Sequence, residues 1–257
     1  YIDNMLIRGS LPDVSLYANV GKDNVFSRML KRFGYTFQSV FADLAVSRSE
    51  GINGRLSLDS LVASGVQIDT IRMAFKSDSA KTSFEGLVRN NRSNPQFVFN
   101  AQMRGAITKS SVYLGTRVFD GRDRLGIALG LKADMQPGGI KLSLGGIDPV
   151  LGYKKFKVNK QNYVFFAENQ RISADMRLRA DDGMGVQIYS NDSTESKQDL
   201  SVSLNQFDLQ KVLAVVPYAP QVAGLLNGDF HWVVSDEGSM SVSSSVSVDR
   251  MAYEGSP

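Results

Sequence analysis

From Leu125 to Met135 every odd position is apolar: Leu125, Ile127, Leu129, Leu131, Ala133 and Met135. The even positions hold Gly126, Ala128, Gly130, Lys132 and Asp134. Successive side chains of a strand point to opposite faces, so a period of two commits this segment to a half-buried β-strand. Pro137-Gly138-Gly139 supplies a turn, after which Ile140, Leu142 and Leu144 alternate with Lys141 and Ser143. The two runs read as a hairpin with one apolar face. The same alternation recurs at Phe97, Phe99, Ala101 and Met103. It returns at Ile172, Ala174, Met176 and Leu178, with Ser173, Asp175, Arg177 and Arg179 opposite, and at Val242, Val246 and Val248 among serines. One apolar face and one wet face is the pattern of an antiparallel sheet.

Helical spacing is confined to two short stretches. Between Asp23 and Phe33, Val25, Phe26, Met29, Leu30 and Phe33 fall on one side, with Asp23 or Asn24 placed to cap the start and Gly34 to end it. Between Asp208 and Val216, Leu209, Val212, Leu213 and Val216 form a stripe that stops at Pro217. Helices this short are marginal alone, so both are expected to pack on the sheet as plugs at the ends of a strongly curved surface. Polar turns at 90–95, 181–183 and 191–199 interrupt the strands, and no Pro-rich or Ser-rich linker divides the chain. The expected architecture is all-β with a few short helices, an elongated antiparallel sheet forming one domain over residues 1–257.

Residues 13–59 and 199–250 share one order of features. Asp13-Val14-Ser15-Leu16 corresponds to Asp199-Leu200-Ser201-Val202, a helical stretch follows, and then comes a strand containing Asp43 or Asp229. Both segments next cross a Ser- and Glu-containing turn ending in Gly51 or Gly238. A repeated supersecondary unit suggests an extended assembly over a closed active site. The chain begins on Tyr1, without the charged and apolar segments of a signal peptide, and reads as a fragment of a longer protein.

Composition excludes several chemistries. The chain has no cysteine, which removes thiol catalysis, disulfides and cysteine-held metals. Its 29 basic and 26 acidic residues balance too evenly for a nucleic-acid face. Lys154, Lys155, Lys157 and Lys160 form the one dense basic run, which suits a strand edge protected from pairing. No apolar run is long enough to span a bilayer as a helix. The single histidine, His231, stands beside Trp232 in an apolar strand and reads as a packed or strand-surface imidazole. No phosphate loop and no nucleophile elbow occurs. Asp120, Asp123, Asp134, Asp148 and Asp175 fall in turns or on the wet side of strands. Asp181-Asp182-Gly183 looks like part of a calcium loop but lacks the remaining ligands. The residues call for no catalytic group, no metal and no cofactor.

Two stretches carry a family resemblance. The first runs from Phe156-Lys157-Val158-Asn159 through Asn162-Tyr163-Val164-Phe165 to Ile172-Ser173-Ala174-Asp175-Met176-Arg177-Leu178. The second is Leu200 to Gly255, where a strand leads through Phe207-Asp208-Leu209 into a short helix, a proline and the Leu225–Gly228 turn. Together they resemble the C-terminal region of the translocation and assembly module TamB family, within the AsmA-like superfamily. The resemblance implies a cupped, taco-like sheet with an apolar inner groove. It implies a non-enzymatic periplasmic module, its parent anchored in the inner membrane through parts outside this fragment. Such a module passes phospholipid acyl chains toward the outer membrane. It also implies, as an alternative, an assembly factor for outer-membrane or secreted proteins that pairs strands with an Omp85-type barrel.

The groove candidates are Phe97, Phe99, Leu125, Ile127, Leu129, Leu131, Ile140, Leu142, Leu144, Ile172, Met176 and Leu178. Phe97, Phe99, Tyr163, Phe165 and Phe166 are placed to close its mouth. Alternation alone does not separate a lipid groove from a dry core between packed sheets. A β-rich adhesin or glycan binder is a third class, and loops poor in aromatic residues count against it.

Overall fold

The computed structural model describes residues 12–191 and 196–254. Tyr1, residues 192–195 of the polar loop and Gly255 lie outside the described residues. Strand accounts for 66% of the chain and helix for 5%, so the all-β class with short helices is the observed one. Internal contacts group the chain into two compact units, Tyr1–Arg124 and Leu125–Pro257.

The first unit contains β1 (Val14–Gly21), α1 (Val25–Arg32), β2 (Tyr35–Thr36), β3 (Ser39–Ser47), β4 (Gly51–Ala63), β5 (Val66–Ser77), β6 (Lys81–Asn90), β7 (Phe99–Thr108) and β8 (Ser111–Asp120). β1 pairs with β3, and each strand from β3 to β8 pairs with the next, all antiparallel. The registers stack side chains into rows across the strands. One row is Ala18, Ala42, Leu56, Met73, Gly86, Met103 and Thr116. The next row, on the opposite face, is Tyr17, Asp43, Arg55, Ala74, Glu85, Arg104 and Gly115. The loop after β6 is held to β5 by its amides. Asn90, 2% exposed, donates to the carbonyls of Gln67 and Phe97 and accepts from the Asp69 N–H.

The second unit opens with β9 (Leu125–Gln136), β10 (Gly139–Leu144), β11 (Val150–Leu151), β12 (Lys154–Lys155), β13 (Lys157–Val158) and β14 (Tyr163–Ala167). It continues with β15 (Ile172–Arg179), β16 (Gly185–Ser190), β17 (Gln198–Asp208), α2 (Leu209–Leu213), β18 (Gln221–Val234) and β19 (Met240–Glu254). The β9–β10 hairpin turns at Gly138, whose φ of +82° favours a residue without a Cβ. β10 pairs with β14, and β14 through β19 follow in antiparallel order. The two segments with related sequence order, β1–α1–β3–β4 and β17–α2–β18–β19, each place a helix between two antiparallel neighbours and then add a further strand.

The two helices have opposite relations to their sheets. At α2, Asp208 caps the first turn, Val212 packs on the core of its unit and Val215 is buried, as expected of a plug. At α1, Asn24 and Ser27 form a capping box and Gly34 ends the helix, as the spacing indicates. The buried residue of α1 is nevertheless Ser27, while Val25, Phe26, Met29 and Phe33 are exposed. The expectation that this stripe packs on the sheet does not hold. The side that meets the protein is the one carrying Ser27, whose hydroxyl donates to the carbonyls of Lys22 and Asn24.

Candidate functional site

The first unit presents a broad apolar surface. Val40, Leu58, Ile71, Val88, Ala101 and Val118 form one row of it, and Leu44, Phe75, Phe84 and Leu114 belong to another. Between them lies the row of Ala42, Leu56, Met73 and Met103. Of these residues only Ala42 is buried; the rest keep part of their surface in water. A dry core of this width would have buried leucines and phenylalanines. The floor is smoothed where bulky side chains lie over glycines. Met103 covers Gly86, and the Phe84 ring covers Gly105 closely enough that a Cβ there would fall 2.1 Å from Cζ.

The opposite face of this unit is polar and predominantly basic. Arg55 stacks on the Phe41 ring at 4.9 Å, Arg72 pairs with Asp59 at 2.6 Å, and Arg104 lies 3.6 Å from Glu85. A 720 Å³ depression on this side is bordered by Phe41, Arg55, Arg72, Leu87 and Arg104, with Ala74 leaving the space at its centre. Burial pushes the Asp59 carboxyl up, but hydrogen bonds from Arg72 and Ser39 and the Arg72 charge outweigh it and hold it below the usual range.

In the second unit the apolar face is partly sealed. Phe156, Met176, Leu178, Ala180 and Met184 form a buried cluster, against which Leu144, Leu151, Val164, Ile188, Phe207 and Val212 pack. Of the groove candidates, Met176 and Leu178 are therefore buried within this cluster, and Leu144 borders it. Leu131 faces Leu144 and Leu142 faces Ala133, while Ile140 meets Met135 and Phe166. Leu125, Ile127, Leu129, Ile140, Leu142 and Ile172 are half-buried and Leu131 is exposed. On the other side of β9, Gly126, Ala128 and Gly130 are buried, and a Cβ at Gly126 would sit 2.2 Å from Val215. Phe97 and Phe99 belong to the first unit, with ring centroids 6.1 Å apart, and Phe99 is buried. The proposed aromatic mouth is divided, because Tyr163 and Phe165 register with Asp175 and Ser173 on the wet side while Phe166 registers with Ile172.

The charged motifs of this unit resolve into pairs. Lys154 binds Asp182 and Lys157 lies 2.6 Å from Asp181, so the calcium-like Asp181-Asp182-Gly183 turn carries lysine partners. The hydrogen bond from Lys154 holds the Asp182 carboxyl below its ordinary range. His231 Nε2 lies 2.7 Å from Asp199 Oδ1 in a 500 Å³ hydroxyl-lined hollow with Ser201, Ser243 and Asp229. Among the described residues His231 makes no hydrogen bond to a serine, and no cluster of three His, Asp or Glu residues gathers to hold a metal ion.

The residues missed in the sequence are those of the first-unit face, Leu56, Ile71, Met73, Phe75 and Phe84. Their signal was present: Ile71, Met73 and Phe75 alternate with Arg72, Ala74 and Lys76. Among the described residues no helix is long and apolar enough to cross a membrane. No family model, curated protein or solved structure matches this chain.

Proposed function

We propose that this chain is a non-enzymatic lipid-transfer module of the periplasm, carrying phospholipid acyl chains along an apolar sheet face toward the outer membrane. The observation that carries the reading is the apolar face of the first unit, whose large side chains are only half-buried and are not interrupted by charge. An acyl chain laid on such a face gains about 0.8 kcal/mol per methylene withdrawn from water. Nothing on the face is positioned to hold a single methylene, so the gain is similar at each position, which suits sliding over capture. The resemblance of residues 156–178 and 200–255 to the TamB family supports the same reading. It would also imply an inner-membrane anchor and an Omp85-type barrel as a partner.

The test is direct. The chain purified from a diderm host should carry phospholipid visible by native mass spectrometry. Leu56→Glu with Met73→Glu should remove it while circular dichroism keeps the strand signal. Lipid retained by the folded double variant would refute the reading.

A second reading has its own observation. Within its unit β19 pairs with β18, and its outer edge carries neither Lys nor Pro over fifteen residues. Val242 and Val246 stay more than half exposed. An edge of this kind takes an added strand from a client or barrel. Cysteine pairs between Ser243 or Ser245 and a client strand would trap it, and their absence in cells would set this reading aside.

A further inference from the structure

We infer that α1 is a membrane-surface anchor, which docks the first unit on a bilayer containing anionic lipid. Three features of the helix converge. Its apolar stripe is turned outward, with Val25 83%, Phe33 70%, Phe26 50% and Met29 48% exposed. Tyr35 of the adjacent β2, 44% exposed, lies next along the chain from the stripe's end and adds an amphipathic ring. Lys22, Arg28, Lys31 and Arg32 accompany the stripe, against a single acid at Asp23. Among the described residues none of these four cations is in an ion pair.

At 100° per residue, Val25, Met29, Phe33, Phe26 and Leu30 sweep one side of α1, and Arg28, Lys31 and Arg32 sweep the other. Ser27 lies between these arcs and points into the protein. A helix seated by Ser27 therefore lays both its apolar and its basic arc toward the surroundings. An eight-residue helix is marginal in isolation, yet this one is fixed at both ends. Asn24 and Ser27 cap its start, and the Phe33 and Gly34 N–H groups bond back to Leu30 and Lys31. The protein therefore holds in place a helix whose apolar side it does not use. Aromatic and aliphatic side chains beside unpaired lysines and arginines match the boundary between acyl chains and anionic headgroups. An acidic protein groove lacks the acyl layer that so exposed a phenylalanine and valine pair would enter. The inference stands whether or not the sheet face carries lipid.

The chain has no cysteine, so Met29→Cys labelled with an environment-sensitive nitrobenzoxadiazole dye reports on this site alone. On phosphatidylcholine vesicles containing phosphatidylglycerol the dye should brighten and shift to the blue, and on pure phosphatidylcholine vesicles the change should be weak. Lys31→Glu with Arg32→Glu should lower partitioning by at least about twentyfold, since each basic residue near an anionic surface is worth roughly a factor of five. Lys76→Glu with Lys81→Glu makes the same change of net charge on β5 and β6 and should leave partitioning within about twofold, which excludes attraction by net charge alone. An unchanged dye on anionic vesicles overturns the inference. So does a dye already blue-shifted without vesicles, which would mean that a second copy or this chain's own residues cover the stripe. Equal losses from the two charge reversals also overturn it.

Discussion

Two methionines occupy comparable strand positions, and their truncation separates an open face from a packed one. Met176 lies mid-strand in β15, 7% exposed, inside the cluster with Phe156, Leu178 and Met184. Met73 lies mid-strand in β5, on the first unit's apolar face, and keeps part of its surface in water. Met→Ala removes the same atoms in both, and the backbone terms for a strand nearly cancel. At Met176 the loss includes the transfer term and the void left behind, together about 2–4 kcal/mol. At Met73 water or lipid fills the dent, so only a part of the transfer term is lost, about 1 kcal/mol. Hydrogen exchange read on peptides from β5–β6 and β15–β16 gives each unit's opening free energy separately. Met176→Ala should accelerate exchange in β15–β16 by a factor of thirty or more, on the order of 2 kcal/mol. Met73→Ala should change exchange in β5–β6 by less than about tenfold. Equal effects would mean that Met73 is enclosed, and the open-face argument would fail.

Other consequences follow from close contacts and from charge. Gly130→Ala puts a Cβ 2.1 Å from the Gly145 carbonyl oxygen, a backbone atom, so the second unit should lose about 1–3 kcal/mol in urea unfolding. Gly105→Ala meets both the Phe84 ring and the Tyr113 carbonyl and should destabilise the first unit by a similar amount, about 1–3 kcal/mol. Asp182 and Asp208 are held below the ordinary carboxylate range. At Asp182 the Lys154 hydrogen bond leads; at Asp208 burial opposes the shift, and the Lys211 bonds and charge outweigh it. Carboxyls depressed in the folded state contribute stability that is present above the ordinary aspartate value of 3.8 and lost as pH falls through their folded values. Urea midpoints measured from neutral pH downward should therefore decline most steeply below pH 3.8, and Lys154→Met should make that decline shallower.

How much of this was legible depends on how local the cause is. The β9–β10 hairpin, its Gly138 turn and the caps of α1 are set by neighbours a few residues away, and the alternation and cap residues expose them directly. Alternation also identifies which side of β9 is apolar, but not which side is sealed. Gly126 and Ala128 are small enough to be covered closely, and the cover at Gly126 is Val215, distant in sequence. Met176 and Leu131 follow the same period, yet one is enclosed by Phe156 and Met184 and the other stays exposed. Helical spacing likewise defines the stripe of α1 without saying that Ser27 is the residue that faces inward. The lysine run and the Asp181-Asp182 turn are legible separately, and only the fold brings them together.

The central claim is that the first unit's apolar face holds acyl chains. It is tested by photo-crosslinking in cells producing the protein, with benzophenone side chains at Leu56, Met73 and Met103 on that face and at Ala74, Glu85 and Arg104 on the other. Phospholipid adducts at Leu56, Met73 and Met103, with none at Ala74, Glu85 or Arg104, are the predicted result. Protein adducts without lipid at Leu56, Met73 and Met103 would contradict the claim and make the face a protein interface.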